Sequence, residues 1–203
     1  ELGVRLVGSE MCIRDRINEL GKVSKYVGIE IDRDITKGTM RLHQKQYVDK
    51  ITFNSPVKNH SPKSNPLPET VNFNQIGDGT EREIRDKVGS YRFLADRTRP
   101  SILQAVGVLG QAAHQPTKTH LRGCNHLDRF LIGSSTKGIT MRGGNDPNKL
   151  IKLFAYSDAS YINGSTRIGY CFFLNLESGT IYARSTKSCL LYTSDAADEE
   201  DSV

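Results

Sequence analysis

The feature that most constrains this chain is a change of hydrophobic period across "GGNDPN" (143–148). Upstream, in "EREIRDKVGSYRFLADRT" (81–98) and "THLRGCNHLDRFLIG" (119–133), apolar residues recur three and four apart, the spacing of a helix face. Ile84, Val88, Tyr91, Phe93, Leu94 and Ala95 form one such set, and Leu121, Cys124, Leu127, Phe130 and Leu131 another. Between them "SILQAVGVLGQAAHQ" (101–115) reads as a small-residue helix, restarted at Pro100, where a proline costs nothing in a first turn. Downstream the pattern becomes that of strands: "KLFAYSDAS" (152–160), "IGYCFFLNL" (168–176) and "GTIYARSTK" (179–187). Short turns join them, so they form an antiparallel meander. The fold class is therefore α/β (α+β), with a domain boundary at 143–148.

The first part of the chain adds a hairpin and a short helix. "KYVGIEIDRDITKGTMRLHQ" (25–44) alternates at Val27, Ile29, Ile31, Met40 and Leu42 about a Lys37-Gly38 turn. "QKQYVDKITF" (44–53) places Tyr47, Val48 and Ile51 near one helix face. Residues 55–68 hold four prolines and read as a linker or an extended surface loop.

Both ends have an unusual relation. "MCIRD" (11–15) can be written ATG TGT ATA AGA GAC, followed by AG. The reverse complement, taken one base along, encodes Cys-Leu-Leu-Tyr-Thr, which is residues 189–193. Residues 1–16 and 188–203 thus resemble translated sequencing adapter, and the expectation is that they are non-native tails. Of the 28 basic and 23 acidic residues in the chain, 25 and 15 fall within 17–187, a net charge of +10 for that span. Such an excess favours a polyanionic partner, because each cation near a phosphate releases a condensed counterion. No run approaches the ~20 apolar residues needed to span a bilayer, so no membrane partner is expected. No signal-peptide pattern is read at the start. The four cysteines lack metal-site spacing, which fits a reducing compartment.

Three sets of residues carry candidate chemistry. Asp158, near the end of a strand, is either a turn-former or a metal ligand. Lys118 and Arg122, four apart on the helix after Pro116, can track a phosphate backbone or simply form a solvated face. His114, His120, Cys124 and His126 cluster in sequence, but helical spacing sends them to different faces, so ordinary structural roles are expected.

In their order along the chain, "ELGKVSKYVGIEI" (19–31), "VGSYRFLADRTRPSILQAVGVL" (88–109) with "QPTKTH" (115–120), and "YSDASY" (156–161) with "GYCFFL" (169–174) resemble the copia-type retrotransposon polyprotein. The resemblance implies that 17–142 is the C-terminal part of a reverse transcriptase, with a palm-end β-hairpin and thumb- or connection-like helices. It implies that 149–187 holds the first three strands of a truncated ribonuclease H-like domain. In that family two Mg2+ ions held by several carboxylates cut the RNA of an RNA–DNA hybrid, and only Asp158 matches one of those carboxylates. The polymerase's Asp-Asp pair precedes 19–31 in the family. The resemblance thus implies an RNA–DNA hybrid or duplex as partner and a catalytically inactive fragment that binds no stable Mg2+. It also implies a cytoplasmic virus-like particle, with passage to the nucleus, as the parent's location. Two competing readings are a non-catalytic nucleic-acid-binding module and a translated sequence that does not fold stably.

Overall fold

The computed structural model describes residues 21–68, 71, 73, 77, 83–143, 151–162 and 165–188. Apart from Ser188, the adapter-like tails lie outside the described residues, as does most of the expected boundary loop. Strands β1 (Lys25–Tyr26), β2 (Ile29–Asp34) and β3 (Thr39–His43) open the fold, and helix α1 (Lys45–Thr52) follows. Helices α2 (Glu83–Arg97), α3 (Leu103–Gln111) and α4 (Lys118–Gly133) come next, with a 3-10 turn at Pro100–Ile102 between α2 and α3. Strands β4 (Gly138–Arg142), β5 (Leu153–Ile162), β6 (Ser165–Leu174) and β7 (Thr180–Ser188) complete the described elements. The strands form two antiparallel sheets, ordered β1-β2-β3-β4 and β5-β6-β7. The α+β class and the meander are as the sequence implies.

Two details differ from the sequence reading. Val27 is not in a strand: with Gly28 it makes a turn in which both residues have positive φ (46° and 75°), folding β1 back on β2. A primed turn matches strand twist, and here tertiary pairing overrides the reluctance of a β-branched residue to adopt that region. The second is β4 (Gly138–Arg142), which the sequence reading does not mark as a strand. It pairs with β3 from Thr39↔Arg142 to His43↔Gly138. Gly138 permits this approach, since a Cβ there would lie 2.2 Å from the Leu42 carbonyl oxygen.

The core is helical. Ile84, Tyr91 and Leu94 of α2, Val106 and Leu109 of α3, and Leu127 and Leu131 of α4 are fully or almost fully buried together. Val48 joins them from α1, and Ala183 packs on the cluster from β7. Within this apolar mass lies a carboxylate. Asp128 is fully buried; Tyr91 Oη donates to its Oδ1 at 2.6 Å, while Ser55 Oγ and Lys87 Nζ each donate to Oδ2 at 2.7 Å. Burial, and then the Asp128 charge, push the Tyr91 hydroxyl pKa well above its ordinary value, which keeps it a donor. Arg99, only 2% exposed, donates to the Ser134 carbonyl and hydroxyl, both at 2.7 Å, and lies over the Phe130 ring. It ties the chain break after α2 to the end of α4.

The proline-rich stretch is a strap on α4. Ser55 reaches Asp128, Arg129 donates to the Ser61 carbonyl at 2.8 Å, and His126 Nε2 donates to the Asn65 carbonyl at 3.0 Å. Pro62 sits against Gly133, where a Cβ would be 2.4 Å from its ring. Among the described residues, the contacts that join the three-stranded sheet to the rest include two that involve β7 and the turn before it. Its β7 lies against α3. The turn before β7 docks on β4, where Gly179 N–H donates to the Thr140 carbonyl at 2.7 Å and Arg142 N–H donates to Ser178 Oγ at 3.1 Å.

This packing can be tested by substitution and by pH. In urea unfolding, Asp128→Ala is expected to cost about 3–5 kcal/mol, because it strands the Lys87 ammonium, and Tyr91→Phe about 1–2 kcal/mol. Gly89, exposed in α2 with open space at its Cβ position, should tolerate alanine with a gain of about 0.5–1 kcal/mol. Gly123→Ala should lose about 1–3 kcal/mol, since its Cβ would meet Phe73 at 2.7 Å and Leu109 at 2.8 Å. Desolvation, only partly opposed by the Asn65 carbonyl, holds the His126 pKa below 6.5, with the charges of Lys63 and Arg129 adding to the effect. The unfolded chain therefore takes up that proton first. Stability from neutral His126 is complete above pH 6.5 and lost as pH falls through the folded pKa. Midpoints of thermal unfolding against pH should show this loss in the native chain and less of it in His126→Gln.

Candidate nucleic-acid interface

The long pairing of β5 with β6, from Leu153↔Leu174 to Ile162↔Ser165, decides where Asp158 sits. The sequence placed Asp158 near the end of a buried strand. It stands instead within β5, opposite Gly169, and is exposed, because pairing continues four residues beyond it. Strand alternation then puts Tyr156, Asp158 and Ser160 on one face with Cys171, Gly169 and Arg167 of β6. The same face carries Ala183, Ser185 and Lys187 of β7, by the pairs Cys171↔Ala183, Gly169↔Ser185 and Arg167↔Lys187.

This face looks toward the helices. A hollow of about 360 Å³ lies between it and the start of α3, lined by Pro100, Ser101 and Gln104 on one side and by Asp158, Ser160 and Arg167 on the other. Asp158 is the carboxylate of this hollow. The other acidic residue of the described sheet, Glu177, lies in the β6–β7 turn, about 17 Å or more along the strand from Gly169. Among the described residues no group of three or more His, Cys, Asp or Glu is placed to hold a metal. A two-ion site needs several converging carboxylates. The described residues do not fit one.

Lys118 and Arg122 are exposed, one turn apart on the first turns of α4, and neither is paired with a carboxylate among the described residues. The structure does not bring them to Asp158. The hollow opens at the start of α3, whereas Lys118 follows its end, and α3 alone is about 13 Å long. Arg167 and Arg184, which the sequence reading did not single out, line the hollow with Asp158.

His120, His126 and Cys124 have structural employment, and His114 is exposed. His120 Nδ1 accepts from Thr117 N–H at 3.1 Å as part of a capping box, and its Nε2 donates to the Phe73 carbonyl at 3.0 Å. His126 is held by the strap. The buried Cys124 thiol has its pKa pushed up to about 12, chiefly by desolvation, so it is unreactive near neutral pH. No helix among the described residues is long and apolar enough to cross a membrane.

No family model matches the chain. No solved structure matches it. Among curated proteins, the retrovirus-related Pol polyprotein from transposon RE1 of Arabidopsis thaliana is 32% identical over 140 residues, 67% of this chain. The retrovirus-related Pol polyprotein from transposon TNT 1-94 of Nicotiana tabacum is 28% identical over 171 residues, 77% of this chain. The chain spans only 9% and 12% of those two relatives. A protein named secreted RxLR effector protein 161, from Plasmopara viticola, is 34% identical over 117 residues, 55% of this chain and 78% of that protein. Similarity to these two Pol polyproteins covers 67% and 77% of this chain, and the chain belongs to the retrovirus-related Pol polyproteins of transposons.

Proposed function

We propose that this chain is the stretch of a copia-type polyprotein where the C-terminal part of the reverse transcriptase joins the start of ribonuclease H. On this reading it binds nucleic acid, with an RNA–DNA hybrid as the favoured partner, and neither extends nor cuts it. The observation that supports the reading is the isolation of Asp158: by the resemblance it corresponds to the parent nuclease's first carboxylate, and no second carboxylate of the described residues lines its hollow. Mg2+ belongs to the parent enzyme, where further carboxylates complete the site. The net charge of +10 over 17–187 supports a polyanionic partner, and the unpaired Lys118 and Arg122 offer two phosphate contacts on one helix face. The parent's setting is a cytoplasmic particle with passage to the nucleus.

The test is equilibrium binding of a fluorescent RNA–DNA hybrid to the full chain across a salt series, followed by incubation with Mg2+. Binding at low salt, falling steeply as salt rises, with the hybrid intact afterwards, is the expected result. Lys118→Gln combined with Arg122→Gln should reduce the slope of log affinity against log salt by about 2. No binding at low salt would remove the nucleic-acid reading. A Mg2+-dependent cut abolished by Asp158→Asn would remove the claim of inactivity.

A further inference from the structure

We infer that the free edge of β5 is a pairing surface for a second copy of this chain: two β5 strands join antiparallel about a two-fold axis at Ser157, turning two three-stranded sheets into one. This goes beyond the nucleic-acid reading and does not rest on it. In the first sheet the edges are covered or short: β1 has two residues, and β4 receives the turn before β7. In the second, β7 lies against α3 and carries Arg184 and Lys187. The ten residues of β5 have no partner strand on their outer side among the described residues. Strand edges are normally blunted by lysine, proline, a bulge or short length. The stretch "LFAYSDASYI" (153–162) has no lysine or proline, pairs with β6 in unbroken register, and carries one charge, Asp158. Leu153, Tyr156 and Tyr161 are 64%, 54% and 73% exposed.

The register of this strand selects the occupant. Asn175 N–H donates to the Lys152 carbonyl at 3.0 Å. Hydrogen-bonded pairs alternate along an antiparallel ladder, so even-numbered residues of β5 turn their backbone groups to β6 and odd-numbered ones turn theirs outward. The outward set is Leu153, Ala155, Ser157, Ala159 and Tyr161, and it is centred on Ser157. An antiparallel copy with Ser157 opposite itself pairs the whole set, and any other register leaves some of these N–H and C=O groups unmet. On the face away from the helices, that register sets Leu153 against Tyr161 and Ala155 against Ala159, each twice. On the other face it sets Tyr156 opposite the second copy's Asp158, so no like charges stand directly opposed. Sliding one step toward the hairpin puts Asp158 opposite itself, which repels. An edge that complements itself in one register fits a closed two-fold contact.

Ten residues a side is fewer than the ~20–30 of a stable interface, so half-dimerisation is expected at roughly 10–300 μM. The experiment is sedimentation equilibrium of the full chain, without nucleic acid, across and beyond that range, with thermal unfolding of each variant alongside. The average mass should rise from one chain to two. Ser157→Pro removes the outward N–H at the axis and no bond to β6, and should weaken the dimer roughly tenfold or more. Ala155→Lys with Ala159→Lys sets lysine opposite lysine twice and should weaken it roughly three- to tenfold. Ala155→Glu with Ala159→Lys sets opposite charges together and should keep the native affinity or tighten it. A single-chain mass throughout overturns the inference. A mass that climbs past two chains marks open-ended stacking and overturns it as well. Dimers that ignore Ser157→Pro, or that respond alike to the two charged pairs, place the contact elsewhere and overturn it too. If Ser157→Pro fails to fold, the contrast between the charged pairs decides.

Discussion

The helical core is organised around a charge that has nowhere to go. Asp128 is sealed among leucines, and a lone carboxylate in such surroundings would either stay protonated or drive the helices apart. Three donors from two parts of the chain converge on it: Ser55 from the strap, Lys87 and Tyr91 from α2. Each donor has a fixed reach, so together they set the rotation of α4 against α2 and the line the strap follows. Leucine packing alone tolerates several rotations of a helix. A buried ion with three partners tolerates far fewer. The remaining strap contacts, and the Arg99 anchor at the other end of α4, then fall along lines that this centre allows.

Most of the architecture was legible because it is written in period. The α2 and α4 faces read from apolar spacing include Ile84, Tyr91, Leu94, Cys124, Leu127 and Leu131, all buried in the structure. The meander was legible for the same reason. What could not be read was long-range. Residues 138–142 have no strand signature strong enough to stand alone, and they become β4 because β3 offers them an edge. The prolines of 55–68 correctly excluded helix and strand, but said nothing of the serine and the backbone carbonyls that bind α4. Asp128 looked like one more polar position of an amphipathic helix, since local pattern does not reveal what faces it.

The candidate site shows the same division. Asp158 reads as lying near a strand end because the strand patterns at 152–160 and 168–176 stop short of the observed pairing. That pairing runs on to Ile162↔Ser165, so 158 faces 169 and 160 faces 167. No local cue could have announced that Gly107 of α3 faces Arg167, because that contact joins residues sixty positions apart.

One consequence of the Gly179 contact concerns the hollow's width. Its two walls are made by different parts of the chain, and the turn ahead of β7 bears on β4 without a side chain to spare: a Cβ on Gly179 would lie 2.5 Å from Ile139. Added bulk there would push the turn off β4, so the spacing of the hollow's walls depends on a contact that lies outside the hollow.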